Sequence, residues 1–531
     1  MNDTASDSPV IHNAIFSVLQ GMLLIGAVLR IPLMFRDSML LYARPFIEDA
    51  YYTLSVARSL GTGEGLTING IVTNGFQPLI AFLYAPFFSV FEEGTALRMC
   101  LLLAIAIEFM LVFTAMRFTA KMSETENPFQ SLPALIVGVL LLWSYSTTVY
   151  SLNGLETALA AWLALASVCM YTRAVESQGG SVFRWAIPGI FMGFAVLARI
   201  DAALLVIVVA FYHLFTKRGA IGKRVSQAAV FSAIAFLVSS PWWIYNFVSF
   251  GSIMPTSGQA LASKLPIGEN LIALVHVVLN DLLLIGYIPY QRTLGPLQLA
   301  LLGGVVAVVL LIIFVPKWRQ WALHLISRIR EGHKLRMLWP LFLFQVVLAA
   351  YYVLRFGAPH FLSRYLFLLH ILIVILAALV AARIFTRLVA KRPKLTTAIM
   401  ITGLAILAGV YAYPYSWYYS ANKAGQNDFL QVALYIQEHI PKTQKVGMGQ
   451  SGTAAFFNPH VTNLDGKVNY DAHLARERGE YCAYIDSAGF DYLIDWEDFF
   501  TGLEHCNVTE RYQTVDTVGR FIVKQRTVGT K

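Results

Sequence analysis

The chain has 531 residues, 57% of them hydrophobic and only 13% charged, with a mean hydropathy of +0.60. One water-soluble core cannot enclose that much apolar surface, so lipid is expected as the main solvent. The net charge of +9 fits lysines and arginines kept in the cytoplasmic loops of a membrane protein, and no nucleic-acid partner is expected.

A bilayer core about 30 Å thick needs about 20 mostly apolar residues per spanning helix. In chain order, such segments run Ile11–Leu29, Cys100–Met116, Leu132–Val149, Thr157–Tyr171, Phe183–Ala198, Ala202–Phe215 and Val225–Phe247, then Leu297–Val315, Leu338–Leu354, Tyr365–Ala382 and Thr396–Tyr411. Nearly continuous apolar runs such as Leu297–Val315 lack the alternation of a membrane barrel. The expected fold is therefore an all-α polytopic bundle of about eleven transmembrane helices. Lys217, Arg218, Lys223 and Arg224 form one basic loop, Lys317, Arg319, Arg328, Arg330, Lys334 and Arg336 a second, and Arg387, Lys391, Arg392 and Lys394 a third. About eleven spans put all three in the cytoplasm and the polar tail after Tyr411 on the opposite side.

Two apolar stretches read as interfacial or re-entrant helices: Phe76–Phe91, which carries Pro78 and Pro86, and Leu271–Tyr290, which carries His276, Asn280 and Asp281. If Phe76–Phe91 spans instead, the N-terminus moves outside and the Ile31–Gly75 loop inside; Asp3 and Asp7 before the first helix, with Arg30 and Arg36 after it, favour that alternative mildly. The amino end lacks the basic region of a cleavable signal, so a retained helix is expected.

The loop after the first span holds Arg44-Pro45-Phe46-Ile47-Glu48-Asp49-Ala50-Tyr51-Tyr52, then Arg58 and Thr73-Asn74-Gly75-Phe76-Gln77-Pro78. Adjacent carboxylates among aromatics at a membrane surface suit a general base, because burial and mutual repulsion raise one pKa. The same pair also reads as a solvated acidic turn.

These residues resemble the GT-C superfamily of polyprenyl-phosphate-sugar-dependent glycosyltransferases, in particular bacterial arabinofuranosyltransferase-like members, whose first extracytoplasmic loop carries an acidic pair. Asn153-Gly154-Leu155-Glu156-Thr157, Leu197-Ala198-Arg199-Ile200-Asp201, Asn246 with Phe250-Gly251 and Pro255-Thr256, Ser363-Arg364-Tyr365, and Asn463-Leu464-Asp465-Gly466 resemble further family segments in the family's order. Relatives of the arabinosyl type often have Asp-Asp where this chain has Glu48-Asp49, which leaves open which acid takes the proton.

The resemblance implies an inverting transfer of a sugar, a pentose such as arabinofuranose or a hexose, from a polyprenyl phosphate to a cell-envelope glycan, lipid or protein acceptor. It implies that one acid of the pair is the base; Asp49 is the expected choice, with Glu48 orienting the acceptor or sharing the proton. Arg364, Arg199, Lys264, Arg58, Arg355 and Arg44 become expected ligands of the donor phosphate, Arg364 and Arg199 foremost. An arginine fork binds phosphate bidentately, although each of these cations also reads as a side chain snorkelling to the interface. Tyr51, Tyr52, Gln77, Glu156 and Asp201 are expected on the acceptor or sugar; Glu156 and Asp201 alternatively orient the arginines, and Asp201 also reads as a simple partner of Arg199. A divalent metal is possible, with hard oxygen ligands available and no compact His/Cys cluster, and no cofactor is otherwise expected. The implied location is a bacterial cytoplasmic membrane, with the site and tail extracytoplasmic. A transporter or flippase of lipid-linked sugars is the rival class, but it should show internal repeats, and none is clear.

Residues 1–413, including the first loop at 31–98, are expected to form the membrane unit and 414–531 an α/β domain. In the tail, Phe429, Val432, Ala433, Ile436 and Ile440 have helical spacing, and strands are expected at Lys445–Gly449, Asp491–Asp495 and Arg520–Lys524. Gly447-Met448-Gly449-Gln450-Ser451-Gly452 spells a dinucleotide fingerprint, but a tight strand-to-helix turn fits an extracytoplasmic domain better. Glu108, inside a span, is either functional or paired within the bundle. Cys482 and Cys506 lie where a disulfide is permitted.

Overall fold

The computed structural model describes residues 7–177, 182–216, 219–261, 267–284, 293–320, 335–355, 357–419, 425–506 and 509–527. Much of the second basic loop, and Lys264, lie outside them. Among the described residues eight helices are long and apolar enough to cross a membrane: Asn13–Phe35, Glu93–Met122, Thr157–Glu176, Ile221–Phe250, Pro296–Phe314, Leu335–Arg355, Phe367–Lys391 and Leu395–Ala412. The expected span at 132–149 is broken into Leu132–Leu142 and Tyr145–Leu152, bent by 63°. Ser144 causes a restart there, because its hydroxyl caps the second piece by accepting the Thr147 N–H at 3.2 Å. The expected spans at 183–198 and 202–215 are shorter apolar helices, Phe183–Ala198 and Ile200–Thr216, which meet in the Arg199–Asp201 turn. The chain is thus a multi-pass membrane protein. Of the two stretches set aside in the sequence, one is the helix Pro78–Val90, packed on Glu48–Gly61 and Glu93–Met122. The other contains the helix Ile267–Leu282, whose His276, Asn280 and Asp281 are buried.

Glu108 settles as a paired acid. Its carboxylate receives Arg30 Nε at 3.1 Å and Nη2 at 2.9 Å, and the rest of the guanidinium donates to the Gly26 carbonyl, the Tyr411 hydroxyl and the Thr148 hydroxyl at 2.9–3.0 Å. Both side chains are sealed from solvent, at 1% and 0% exposure. Charges withdrawn from water persist only with such complete satisfaction.

The tail carries a five-stranded sheet. A small hairpin of β1 (Thr67–Ile68) and β2 (Ile71–Val72) belongs to the first loop; β3 (Val446–Met448), β4 (Val461–Asn463), β5 (Tyr492–Asp495), β6 (Tyr512–Val518) and β7 (Phe521–Arg526) form the tail sheet in the order β4-β3-β5-β7-β6. β3 runs parallel to both β4 and β5, pairing Val446 with Val461 and with Tyr492. β7 runs antiparallel to β5 and β6. The helix Asp428–His439 starts at Asn427, whose side chain accepts the N–H groups of Phe429 and Leu430, and it buries Leu430, Val432, Ala433 and Ile436. Cys482 and Cys506 form a disulfide with Cα atoms 5.5 Å apart.

Candidate active site

The cavity is built where the first loop, the membrane helices and the tail converge. The helix Glu48–Gly61 begins at Ile47 without a side-chain cap, so two acids in its first turn complement the N-terminal dipole. Successive helical residues point roughly 100° apart, and that rotation separates the acid pair. Asp49 faces a cavity of about 790 Å³, whereas Glu48 faces the tail.

Glu48 Oε2 accepts the Thr453 hydroxyl at 2.5 Å and the Thr453 N–H at 3.0 Å, at the start of the helix Gly452–Phe457. Its Oε1 is enclosed against the backbone of Gly452. Burial pushes the Glu48 carboxyl up to about 7, against the contrary pull of the Thr453 bonds, and the neighbouring Asp49 charge adds to the rise. The glycine-rich segment 447–452 is a turn from β3 into that helix, and its N–H groups are already taken: Asp495 Oδ2 accepts those of Gly449 at 2.5 Å and Gln450 at 3.1 Å. Burial pushes Asp495 up to about 6 while these backbone donors hold it back. Tyr52 closes the turn by accepting the Ser451 N–H at 3.1 Å and the Asn463 Nδ2 at 3.2 Å. Gly452 admits the contact, since a Cβ there would stand 2.3 Å from the Glu48 carbonyl oxygen. The fingerprint-like segment therefore holds this chain's own side chains.

Across the cavity stands Arg364, in the short helix Leu362–Tyr365 just before the span Phe367–Lys391. Its Nη1 lies 3.3 Å from Asp49 Oδ2 and its Nη2 3.2 Å from the Tyr365 hydroxyl, while its guanidinium carbon lies 4.9 Å and 5.1 Å from the Phe361 and Tyr365 ring centres. Nε is buried without a hydrogen-bond partner among the described residues. An unmet buried donor costs about 1–3 kcal/mol, which an incoming anion would relieve. Desolvation opposes the charge on Arg364, but Tyr365, Glu156 and Asp49 together hold its pKa above the ordinary arginine value.

Lys467 adds a second cation from the tail. Its ammonium is 3.1 Å from Asp465 Oδ2, and Asp465 and Asp49 raise its pKa against desolvation. The tail loop reaches the cavity because residue 75 is glycine: a Cβ there would lie 1.9 Å from the Lys467 carbonyl oxygen. Asn74 fixes the same rim, donating to Asn246 Oδ1 at 3.2 Å and accepting the N–H and hydroxyl of Thr256 at 3.0 and 2.6 Å. Two segments far apart in sequence, around Asn74 and Asn246–Thr256, thus form one wall.

Of the residues singled out in the sequence, Asp49, Tyr52, Gln77, Glu156, Arg199, Asp201, Arg355 and Arg364 line the cavity. Arg199 does so with its fork occupied: Nη1 binds Glu156 at 2.9 Å, Nε and Nη2 bind Asp201 at 3.2 and 2.5 Å, and Nη2 also meets the Tyr352 hydroxyl at 3.0 Å. Tyr352 in turn donates to Asp201. This places Arg199, Glu156 and Asp201 in one mutually satisfied group, unlike the open phosphate ligand expected of Arg199. Arg355 is exposed in the lining and makes no ion pair among the described residues. Arg58 points elsewhere, to Glu93 and the Phe456 carbonyl at 2.8 Å each. Arg44 and Tyr51 are absent from the lining; the Arg44 carbonyl accepts from Arg36 at 3.1 Å, and Tyr51 donates to the Tyr42 carbonyl at 2.6 Å. Lys264 lies outside the described residues. Sequence reading missed Lys467, Tyr352 and Trp243; the available signal for Lys467 was a basic residue directly after the Asn463–Gly466 turn.

Among the described residues, three potential metal ligands converge at Cys482, His505 and Cys506, outside the cavity lining, where the two thiols are joined as the disulfide. Chemically, the cavity sets the Asp49 carboxylate beside Arg364 and Lys467 among aromatic side chains, an arrangement able to accept a proton and hold an anion at neighbouring points.

No family model matches the chain, and no curated protein matches it. Solved structures do. ArnT from Cupriavidus metallidurans bound to undecaprenyl phosphate is 13% identical, with 96% of this chain covering 99% of that one at a TM-score of 0.56. Its apo state is 14% identical, with 95% and 98% covered and a TM-score of 0.54. The oligosaccharyltransferase AglB from Archaeoglobus fulgidus, in complex with an inhibitory peptide and a dolichol-phosphate, is a looser likeness at 13% identity, 96% and 74% coverage and a TM-score of 0.49. The fold of this chain is that of ArnT, a helical membrane bundle with a small sheet-bearing tail.

Proposed function

We propose that this chain is a glycosyltransferase that moves a sugar from a polyprenyl-phosphate donor to a cell-envelope glycan, lipid or protein, by single displacement with inversion. The observation that carries the reading is Asp49 facing Arg364 and Lys467 across one cavity. The acceptor hydroxyl loses its proton to Asp49 as its oxygen forms a bond to the anomeric carbon. The bond from that carbon to the phosphate oxygen breaks, and the electron pair leaves with the phosphate, whose charge Arg364 and Lys467 hold. Glu156, Asp201 and Arg199 form a fixed polar wall beside Gln77 and Tyr52 for the sugar or acceptor. Arg355 is the further cation for the lipid phosphate at the rim. Glu48 acts through the tail, by seating the helix that carries Asp49. The fold shared with ArnT, whose solved structure is bound to undecaprenyl phosphate, supports a lipid-borne donor. The sugar is a pentose such as arabinofuranose or a hexose, and the Glu48-Asp49 pair does not choose between them. We place the protein in a bacterial cytoplasmic membrane with the cavity and the tail, residues 414–531, on the extracytoplasmic face, as the basic loops favour.

The test is transfer by the purified protein in detergent from a panel of undecaprenyl-phosphate pentoses and hexoses to membrane-extracted acceptors. Product that forms with the native chain and is lost in Asp49→Asn is expected. Full activity in that variant would end the assignment.

A further inference from the structure

The contact between Arg364 and Asp49, both half-buried, is incomplete in a way the buried arginine–carboxylate pairs Arg30–Glu108 and Arg199–Glu156 are not. It is a single approach at 3.3 Å, longer than the 2.7–2.9 Å of a good charge-assisted bond. The same guanidinium leaves Nε unpartnered, although it is held between Phe361 and Tyr365. Lys467 stands on the same cavity with its ammonium on Asp465. An anion with several acceptor oxygens meets Arg364 better than one carboxylate oxygen does, because it can take two parallel N–H groups of the fork at once.

Resting on the transfer reading above, we propose that Arg364 is a donor-operated latch on the base: the phosphate of the lipid draws the guanidinium away from Asp49 and so frees that carboxylate for the acceptor hydroxyl. No bond is made or broken in this step; one ion pair is exchanged for another. The other charged groups facing Asp49 are Glu48 on its own helix, His360 beside Arg364, and Lys467 from the tail. None of these holds Asp49 in a hydrogen bond, and Glu48 is engaged by Thr453. Arg199 is committed to Glu156 and Asp201, so it is not available to replace Arg364. The donor therefore binds before the acceptor.

The test follows the carboxylate itself. Farnesyl phosphate is added to the full chain in detergent, binding is read by calorimetry, and the Asp49 carboxylate stretch is read by infrared difference spectroscopy, assigned by its loss in Asp49→Asn. Farnesyl phosphate is expected to bind and shift that band. Farnesol, and inorganic phosphate at the same concentration, are expected to leave it in place. In Arg364→Gln the band is expected at the freed position from the start and unmoved by farnesyl phosphate; Arg364→Lys, which keeps the charge without the fork, should show a reduced shift. Binding of farnesyl phosphate with no movement of the band, or an undiminished shift in Arg364→Gln, overturns the latch and leaves the transfer reading standing. An equal shift from inorganic phosphate overturns its operation by a lipid donor. Failure of farnesyl phosphate to bind at all overturns the transfer reading with it.

Discussion

Two arginine–carboxylate pairs in this molecule have opposite characters. Arg30 and Glu108, inside the bundle, meet at 2.9 and 3.1 Å, and the guanidinium's other donors find a carbonyl and two hydroxyls. Arg364 and Asp49, at the cavity, meet once at 3.3 Å with a donor left over. The closed pair has nothing to offer a ligand and ties together the first helix, Glu93–Met122, the broken span and the helix bearing Tyr411. The open pair is stable enough to persist and incomplete enough to exchange. Saturation of hydrogen bonding, more than burial or charge, distinguishes a structural ion pair from a reactive one.

The strongest way to break this contrast is to remove each acid in turn. Asp49→Asn should lower transfer about 10²–10⁴-fold, the usual contribution of a general base, while the detergent melting curve stays near that of the native chain. Glu108→Ala should do the reverse, costing about 3–5 kcal/mol of stability by stranding Arg30, read as a large drop in melting temperature; equal effects of the two variants would erase the distinction. A smaller effect is expected from Lys467→Ala, which removes one charged hydrogen bond worth about 1.5–3 kcal/mol and so should weaken farnesyl phosphate binding about tenfold to a hundredfold, measured by calorimetry.

The smallest effect concerns Glu48, the other half of the acid pair. Its folded-state pKa is raised from 4.5 to about 7, so the folded chain binds the extra proton more readily than the unfolded one. Its contribution is fully present below about 4.5 and is lost as pH rises through about 7. Protection of the 449–457 turn from hydrogen exchange should therefore decline over that window in the native chain, beyond the intrinsic effect of pH. Glu48→Gln should flatten the decline; an unchanged profile would remove Glu48 as its source.

The bundle was legible because apolar runs of spanning length announce themselves, and even the expected spans that proved broken or short are helices. The boundary between Ala198 and Ala202 was legible as well, whereas the bend at Ser144 was not, because it falls inside one continuous apolar run. β6 escaped notice because Tyr512–Val518 is an edge strand whose middle residues are exposed, so its sequence carries no buried alternation. Within the cavity, Asp49, Arg364 and the Glu156–Arg199–Asp201 group could be marked in the sequence, each in a motif. An orienting contact of Glu156 and Asp201 on the arginines was open to the sequence, but the full closure of Arg199, which adds the Tyr352 hydroxyl, could not be read. Neither could the pairing of Glu108 with Arg30 across 78 residues, nor the entry of Lys467 past Gly75. Local spacing says nothing of such distant partners.

The seat of Glu48 at the start of the helix Gly452–Phe457 makes the tail a poor candidate for exchange. One turn of helix presents Asp49 inward and anchors the sheet-bearing unit outward, so a graft that shifts the anchor shifts the Asp49 carboxylate as well. Chimaeras joining this bundle to a foreign tail should work only when the 449–453 turn and its Thr453 travel with the bundle's own acid pair.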